Sequence, residues 1–142
     1  DISSKTQVAF CVLGGIFSEG IDLKEERLIG TIIVGTGLPQ ICVEREILKV
    51  YFDEKTQGGF DYAYCFPGMN KVLQAAGRVI RTGEDRGIIL LLDDRFLWPE
   101  IQGMFPREWS EYAPVTRNTV FEWLKRFWGR WEQNDEATKT LE

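Results

Sequence analysis

Three short aliphatic runs constrain this chain more than anything else in it: VAFCVL at 8–13, LIGTIIV at 28–34 and IILLL at 88–92. None shows the strict apolar–polar alternation of a half-buried strand. Continuous runs of this kind read as strands buried on both faces, the pattern of a parallel sheet flanked by helices. Parallel strands need crossover connections, and the intervening sequence carries helical spacing. Over 43–52, Val43, Ile47, Val50 and Tyr51 recur with charges between them, which predicts a helix. Residues 54–59, EKTQGG, read as a connector, and the aromatic stretch 60–66 fits either strand or helix. Pro67-Gly68 then breaks the chain before a helix over 70–81, with Asn70 as its candidate cap. After the last strand, 98–114 reads as irregular, aromatic, edge-packing chain. A helix over 119–131 follows, with Val120, Trp123, Leu124, Phe127 and Trp131 on one stripe and Asn118 or Thr119 as cap. The fold class this predicts is α/β.

The stretch 70–81, NKVLQAAGRVIR, is the most chemically suggestive. Wound as a helix, it gathers Lys71, Gln74, Arg78 and Arg81 within an arc of about 80°. Met69, Val72, Leu73, Ala76, Val79 and Ile80 lie opposite. Two arginines in register on a rigid element suit a polyphosphate, because the guanidinium fork bonds phosphate oxygens and keeps its charge. A solvated basic face explains the same spacing. The loop after the first run holds Ser18, Glu19, Gly20 and Asp22, at the carboxyl end of a strand where α/β sheets bind ligands. A plain polar turn fits it too. Gly35-Thr36-Gly37 follows the second run, but the third glycine of a dinucleotide fingerprint is missing and Pro39 intervenes. Asp93-Asp94 after IILLL mimics a magnesium-binding acidic pair, yet no phosphate loop exists in the chain. Pairing with Arg81, Arg86 or Arg95 accounts for these acids more simply.

Composition narrows the function classes. With 142 residues there is room for one domain, and a net charge of −5 gives no global basic field to attract nucleic acid. There is no histidine, and the three cysteines, Cys11, Cys42 and Cys65, are widely spaced. A metal site is therefore not expected, and the cysteines read as buried free thiols in a reducing cytosol. No apolar run approaches a membrane span, so no membrane partner is expected. The sequence opens without Met and ends in Leu141-Glu142. This suggests a piece of a longer protein with a vector remnant at its end.

FSEGIDL at 17–23 and QAAGRVIR at 74–81, with DRGIILLLDDRF at 85–96, resemble motifs V and VI of superfamily 2 helicases. The form is similar to the XPD/DinG branch, and within it to the bacterial DinG-like and YoaA-like proteins. VGTGLPQI at 34–41, YCFPGMNKVLQ at 64–74 and Asp94-Arg95-Phe96 strengthen the likeness. The resemblance implies a RecA-like, P-loop-NTPase-type parallel sheet flanked by helices: an incomplete second motor domain over 1–131, with a polar tail over 132–142. It implies that Arg78 and Arg81 are arginine fingers and Gln74 a polar contact beside the nucleotide. Gly20 and Asp22 would lie against ATP, and Ser18 and Glu19 would link that site to bound DNA. ATP and Mg2+ would belong to the full-length protein, their phosphate loop in a first RecA-like domain, with neither bound by this chain alone.

The partners implied are single-stranded or forked DNA and that first domain of the same polypeptide. The setting implied is cytoplasmic and nucleoid-associated, with DNA repair as the role. An open sheet edge in a truncated domain also invites self-association. A second reading, a non-catalytic nucleic-acid or protein-binding module with a motor-like fold, leaves the alignment of Gln74, Arg78 and Arg81 without a physical reason. An unrelated dinucleotide-binding enzyme lacks both the third glycine and the acidic ribose reader.

Overall fold

The computed structural model describes residues 6–15, 28–80, 83 and 85–139, with side chains described as far as residue 131. The chain divides into two compact units, residues 1–105 and 106–142.

The first unit is built on a parallel pair of strands, β1 (Gly30–Val34) and β2 (Ile88–Leu92), in the register Gly30↔Ile88 to Val34↔Leu92. Between them run a helix, α1 (Val43–Thr56), then a π-helical turn (Asp61–Cys65) that continues into α2 (Phe66–Ala76). Helix α2 packs against β1. Met69, Val72 and Ala76 are buried at the 3–4-residue spacing of one helix face, and Ile33 is buried on the sheet. The end of β2 leads into a 3-10 turn (Asp94–Leu97) and a short helix, α3 (Pro99–Gln102), which bury Phe96 and Ile101.

Strand 88–92 forms as the sequence predicts and 28–34 does so from Gly30 onward, but 8–13 does not. Residues 6–12 form no strand, and Val8, Phe10 and Val12 are 76–96% exposed. Among the described residues β1 pairs only with β2, and the run 8–13 adds no strand to that ladder. Strand β1 is also covered on one face only, whereas Ile88–Leu91 of β2 are all half-buried. Ile33 is buried against α2 while its neighbours Ile32 and Val34 are exposed. Cys65 is buried, but Cys11 and Cys42 are exposed rather than buried, Cys11 because it lies in the unpaired run.

The helical hairpin differs from expectation as well. Helix α1 extends to Thr56 and takes in half of the predicted connector. Gln57 closes it in the left-handed region at φ 58°, and Asp53 Oδ1 then accepts the Gly59 N–H at 2.8 Å. Pro67-Gly68 does not start a new helix and Asn70 caps nothing; α2 already runs from Phe66, continuous with the π-helical turn before it, so Pro67 lies inside an unbroken helical run.

The second unit holds a 3-10 turn (Arg107–Trp109) and a long helix, α4 (Val120–Lys139), which carries on through most of the tail read as separate at 132–142. Its entry is set by Thr116 and Thr119: the Thr116 N–H donates to Thr119 Oγ1 at 2.9 Å, and the Val120 N–H to the Thr116 carbonyl. This is one half of a capping box, with Thr116 standing two to three residues before the predicted caps Asn118 and Thr119. Trp123 is 46% exposed, with the Arg126 guanidinium 5.7 Å from its ring centroid. Phe127 and Trp131 meet edge-on.

Candidate functional site

Parallel strands end together, and β1 and β2 bring Gly35–Gly37 and Asp93 to the same edge of the sheet. Gly35 and Gly37 take φ of 85° and 67°, a region that side chains rarely adopt, so the loop turns sharply over the strand ends. This loop presses on the first turn of α2. A Cβ on Gly37 would stand 2.7 Å from the Gly68 carbonyl oxygen, and one on Gly68 would stand 2.7 Å from that of Thr36. Thr36 is buried between them, and its hydroxyl has no hydrogen-bond partner.

Asp93 is committed to Arg95. Its carboxylate accepts Nε at 2.8 Å and Nη2 at 2.7 Å, and also caps the 3-10 turn through the Arg95 N–H. Hydrogen bonds from that guanidinium hold the Asp93 carboxyl down at about 2, against an ordinary value near 3.8. The predicted pairing with a neighbouring arginine is therefore made by Arg95. A depressed carboxyl stabilises the fold above its unfolded value, and that contribution disappears as pH falls through the folded value. Thermal melting between pH 4 and 2 should thus show a loss of stability that is smaller in an Asp93→Asn variant than in the unsubstituted chain. Among the described residues no group of acids, cysteines or histidines could hold a metal ion.

The polar face of α2 rises beside this edge. Lys71 is half-buried, and its side chain lies across Gly14, where a Cβ would be 3.1 Å from Lys71 Cδ and 3.6 Å from Nζ. Gly14, at φ 79°, leads into the loop that carries Ser18, Glu19, Gly20 and Asp22. Those four residues lie outside the described residues, as does Arg81. Gln74 is exposed on α2, one turn beyond Lys71.

Arg78 is not on the helix. The predicted helix over 70–81 ends at Ala76, and Arg78 sits half-buried in the turn that follows. The Gly77 N–H still reaches the Leu73 carbonyl, but Arg78 and Val79 donate three residues back, to Ala75 and Ala76. This tighter winding advances Arg78 by about 40° relative to Gln74, compared with a continued α-helix. Two causes act together. Gly77 is a poor helix residue, and Val79 is drawn into the core over Gly87, where a Cβ would stand 2.2 Å from Val79 Cγ1.

The hairpin behind the site holds residues that sequence reasoning did not single out. Arg45 donates Nη1 to the Ala63 carbonyl at 2.6 Å, and Tyr64 donates its hydroxyl to Glu46 at 2.6 Å. That bond to a carboxylate pushes the Tyr64 hydroxyl up to about 12. Phe52 stacks on Tyr62 with centroids 4.3 Å apart. Burial, with a hydrogen bond to Asp61, pushes the Cys65 thiol up to about 11, so it stays protonated near neutrality.

Residues 2–112 match the model of the helicase C-terminal domain. The chain is similar to an ATP-dependent DNA helicase chl-1 of Caenorhabditis elegans, with 36% identity over 66% of this chain and 11% of that protein. It is 32% identical, over 91% of its length, to a regulator of telomere elongation helicase 1 homolog of Caenorhabditis briggsae, covering 12% of it. Against the regulator of telomere elongation helicase 1 of Homo sapiens the identity is 35%, over 67% of this chain and 8% of that protein. The chain thus spans about a tenth of the length of the relatives it matches.

Proposed function

Because this chain belongs to the helicase C-terminal domain family, we propose that it works as the second motor domain of an ATP-dependent DNA helicase of the XPD/DinG branch. Its fold is the RecA-like α/β arrangement, here a parallel strand pair with helices. Within that branch, VGTGLPQI, YCFPGMNKVLQ and Asp94-Arg95-Phe96 favour a form like that of the bacterial DinG-like and YoaA-like proteins.

One observation carries the mechanistic reading: Lys71 on the polar face of α2 lies across Gly14, at the entry to the loop holding Ser18, Glu19, Gly20 and Asp22. The end of the first apolar run and the polar face of α2, far apart in sequence, therefore meet at Gly14 and Lys71. In this reading Arg78 and Arg81 face the γ-phosphate of an ATP held on a first RecA-like domain and neutralise the charge that builds during transfer. Gln74 makes a polar contact at the same edge. Gly20 and Asp22 lie against the nucleotide. Ser18 and Glu19 tie the site to the phosphates of a single DNA strand, so that closure on ATP moves one domain along it.

Magnesium belongs to the first domain. Asp93, the acid that follows β2, is engaged by Arg95. When bound there, the ion would supply positive charge that helps neutralise the phosphates.

The site is composite, so this chain alone should release no phosphate from ATP with single-stranded DNA present, whereas the intact polypeptide should do so. A colorimetric phosphate assay on both checks this, and DNA-stimulated turnover by the isolated chain would refute the composite site.

A further inference from the structure

Pro67 creates a problem in the hairpin that supports the site. Its ring nitrogen carries no hydrogen, so the carbonyl four residues earlier, that of Ala63, loses its α-helical donor. Ala63 is 0% exposed, so solvent does not offer an easy replacement, and an unmade bond at a buried carbonyl is costly. The chain responds twice. The helix widens to π over Asp61–Cys65, with the Phe66 N–H reaching five residues back to the Asp61 carbonyl. Arg45, eighteen residues away on α1, donates Nη1 to the Ala63 carbonyl at 2.6 Å.

The consequence reaches the site. One extra residue in a helical turn rotates everything downstream by about 100° relative to a straight α-helix. The direction in which α2 presents Lys71 and Gln74, and the place where it delivers Arg78, therefore depend on the wide turn being kept. Arg45 has no other described role of comparable reach. It faces the hairpin while the apolar residues of its own helix, Val43, Ile47 and Val50, face away and are 57–73% exposed. A charged donor to a carbonyl is among the stronger hydrogen bonds, and on the next rung Glu46 accepts from Tyr64.

We infer that Arg45 is a positioning residue for ATP hydrolysis: its guanidinium replaces the helical bond that Pro67 removes, and so fixes the orientation of α2 and its phosphate-facing groups. The hydrolysis part of this inference rests on the motor-domain reading; the replacement of the bond does not.

The test is a double-mutant cycle in the intact polypeptide with Arg45→Met, Pro67→Ala and the pair. Melting temperature and DNA-stimulated ATP turnover are measured for each, well below the melting point. In the Pro67 background, Arg45→Met should lower the melting temperature and reduce kcat about tenfold, with KM for ATP within twofold. In the Pro67→Ala background residue 67 regains an N–H for Ala63, and the same change should alter kcat less than twofold and hardly move the melting temperature. Equal losses in both backgrounds, or no loss in the Pro67 background, would overturn the inference. Coupled melting temperatures alongside a kcat that does not respond to Arg45→Met would keep the replaced bond and refute the positioning role. Absence of ATP turnover in the unsubstituted protein would refute the motor reading instead.

Discussion

Gly59→Ala is expected to destabilise the first unit by about 3 kcal/mol or more, the upper range of overpacking a closed contact. The two helices of the hairpin cross here with no space between them. A Cβ on Gly59 would lie 2.1 Å from the Lys49 carbonyl oxygen and 2.5 Å from Asp53 Cγ. The first of these is backbone in the middle of α1 and cannot swing aside. The second belongs to the carboxylate that caps the Gly59 N–H, so relieving the clash also breaks that bond. Separating the helices would in turn pull Arg45 from Ala63 and Phe52 from Tyr62. Chemical denaturation followed by circular dichroism checks this, with Gly83→Ala as the control, since nothing lies within 4 Å of a Cβ there.

Arg78→Ala in the intact polypeptide is expected to reduce the rate of ATP hydrolysis by about a thousandfold, the scale of an arginine finger in NTPases that use one. The reason is electrostatic. Charge spreads over the γ-phosphate oxygens as transfer proceeds, and a preplaced guanidinium stabilises it without reorganisation. The position of Arg78 in a tight turn suits that task. The turn is pinned by buried Val79 over Gly87 on one side and by the end of α2 on the other. A group that acts only as charge builds should affect kcat far more than the KM for ATP. Binding of single-stranded DNA, read by fluorescence anisotropy, should change little, because that contact is assigned to Ser18 and Glu19.

What the sequence could reveal depended on how local the cause was. The strands β1 and β2 were legible because their aliphatic runs leave no other economical burial. The run at 8–13 looks the same in sequence, yet among the described residues it pairs with neither strand. The end of α2 was hidden because helical periodicity in the sequence continues smoothly through Val79 and Ile80. Gly77 only weakens the helix locally; what completes the stop is tertiary, the docking of Val79 against Gly87. Pro67 was visible but misread as a break. The helix passes through it because a π turn and a guanidinium from another helix deal with the carbonyl it strands. Nothing in the spacing of Arg45 points to Ala63. The pattern of Gln74 with Arg78 was legible, while their relative angle was not.

The central claim is that the arginines following α2 complete an ATP site built with another domain. DNA-stimulated phosphate release by the intact polypeptide tests it most directly, comparing the unsubstituted protein with Arg78→Ala and with Arg81→Ala at saturating ATP. The account predicts a kcat lower by about a thousandfold in each variant, with ATP and DNA still bound. Turnover within twofold of the unsubstituted protein in both variants would contradict it.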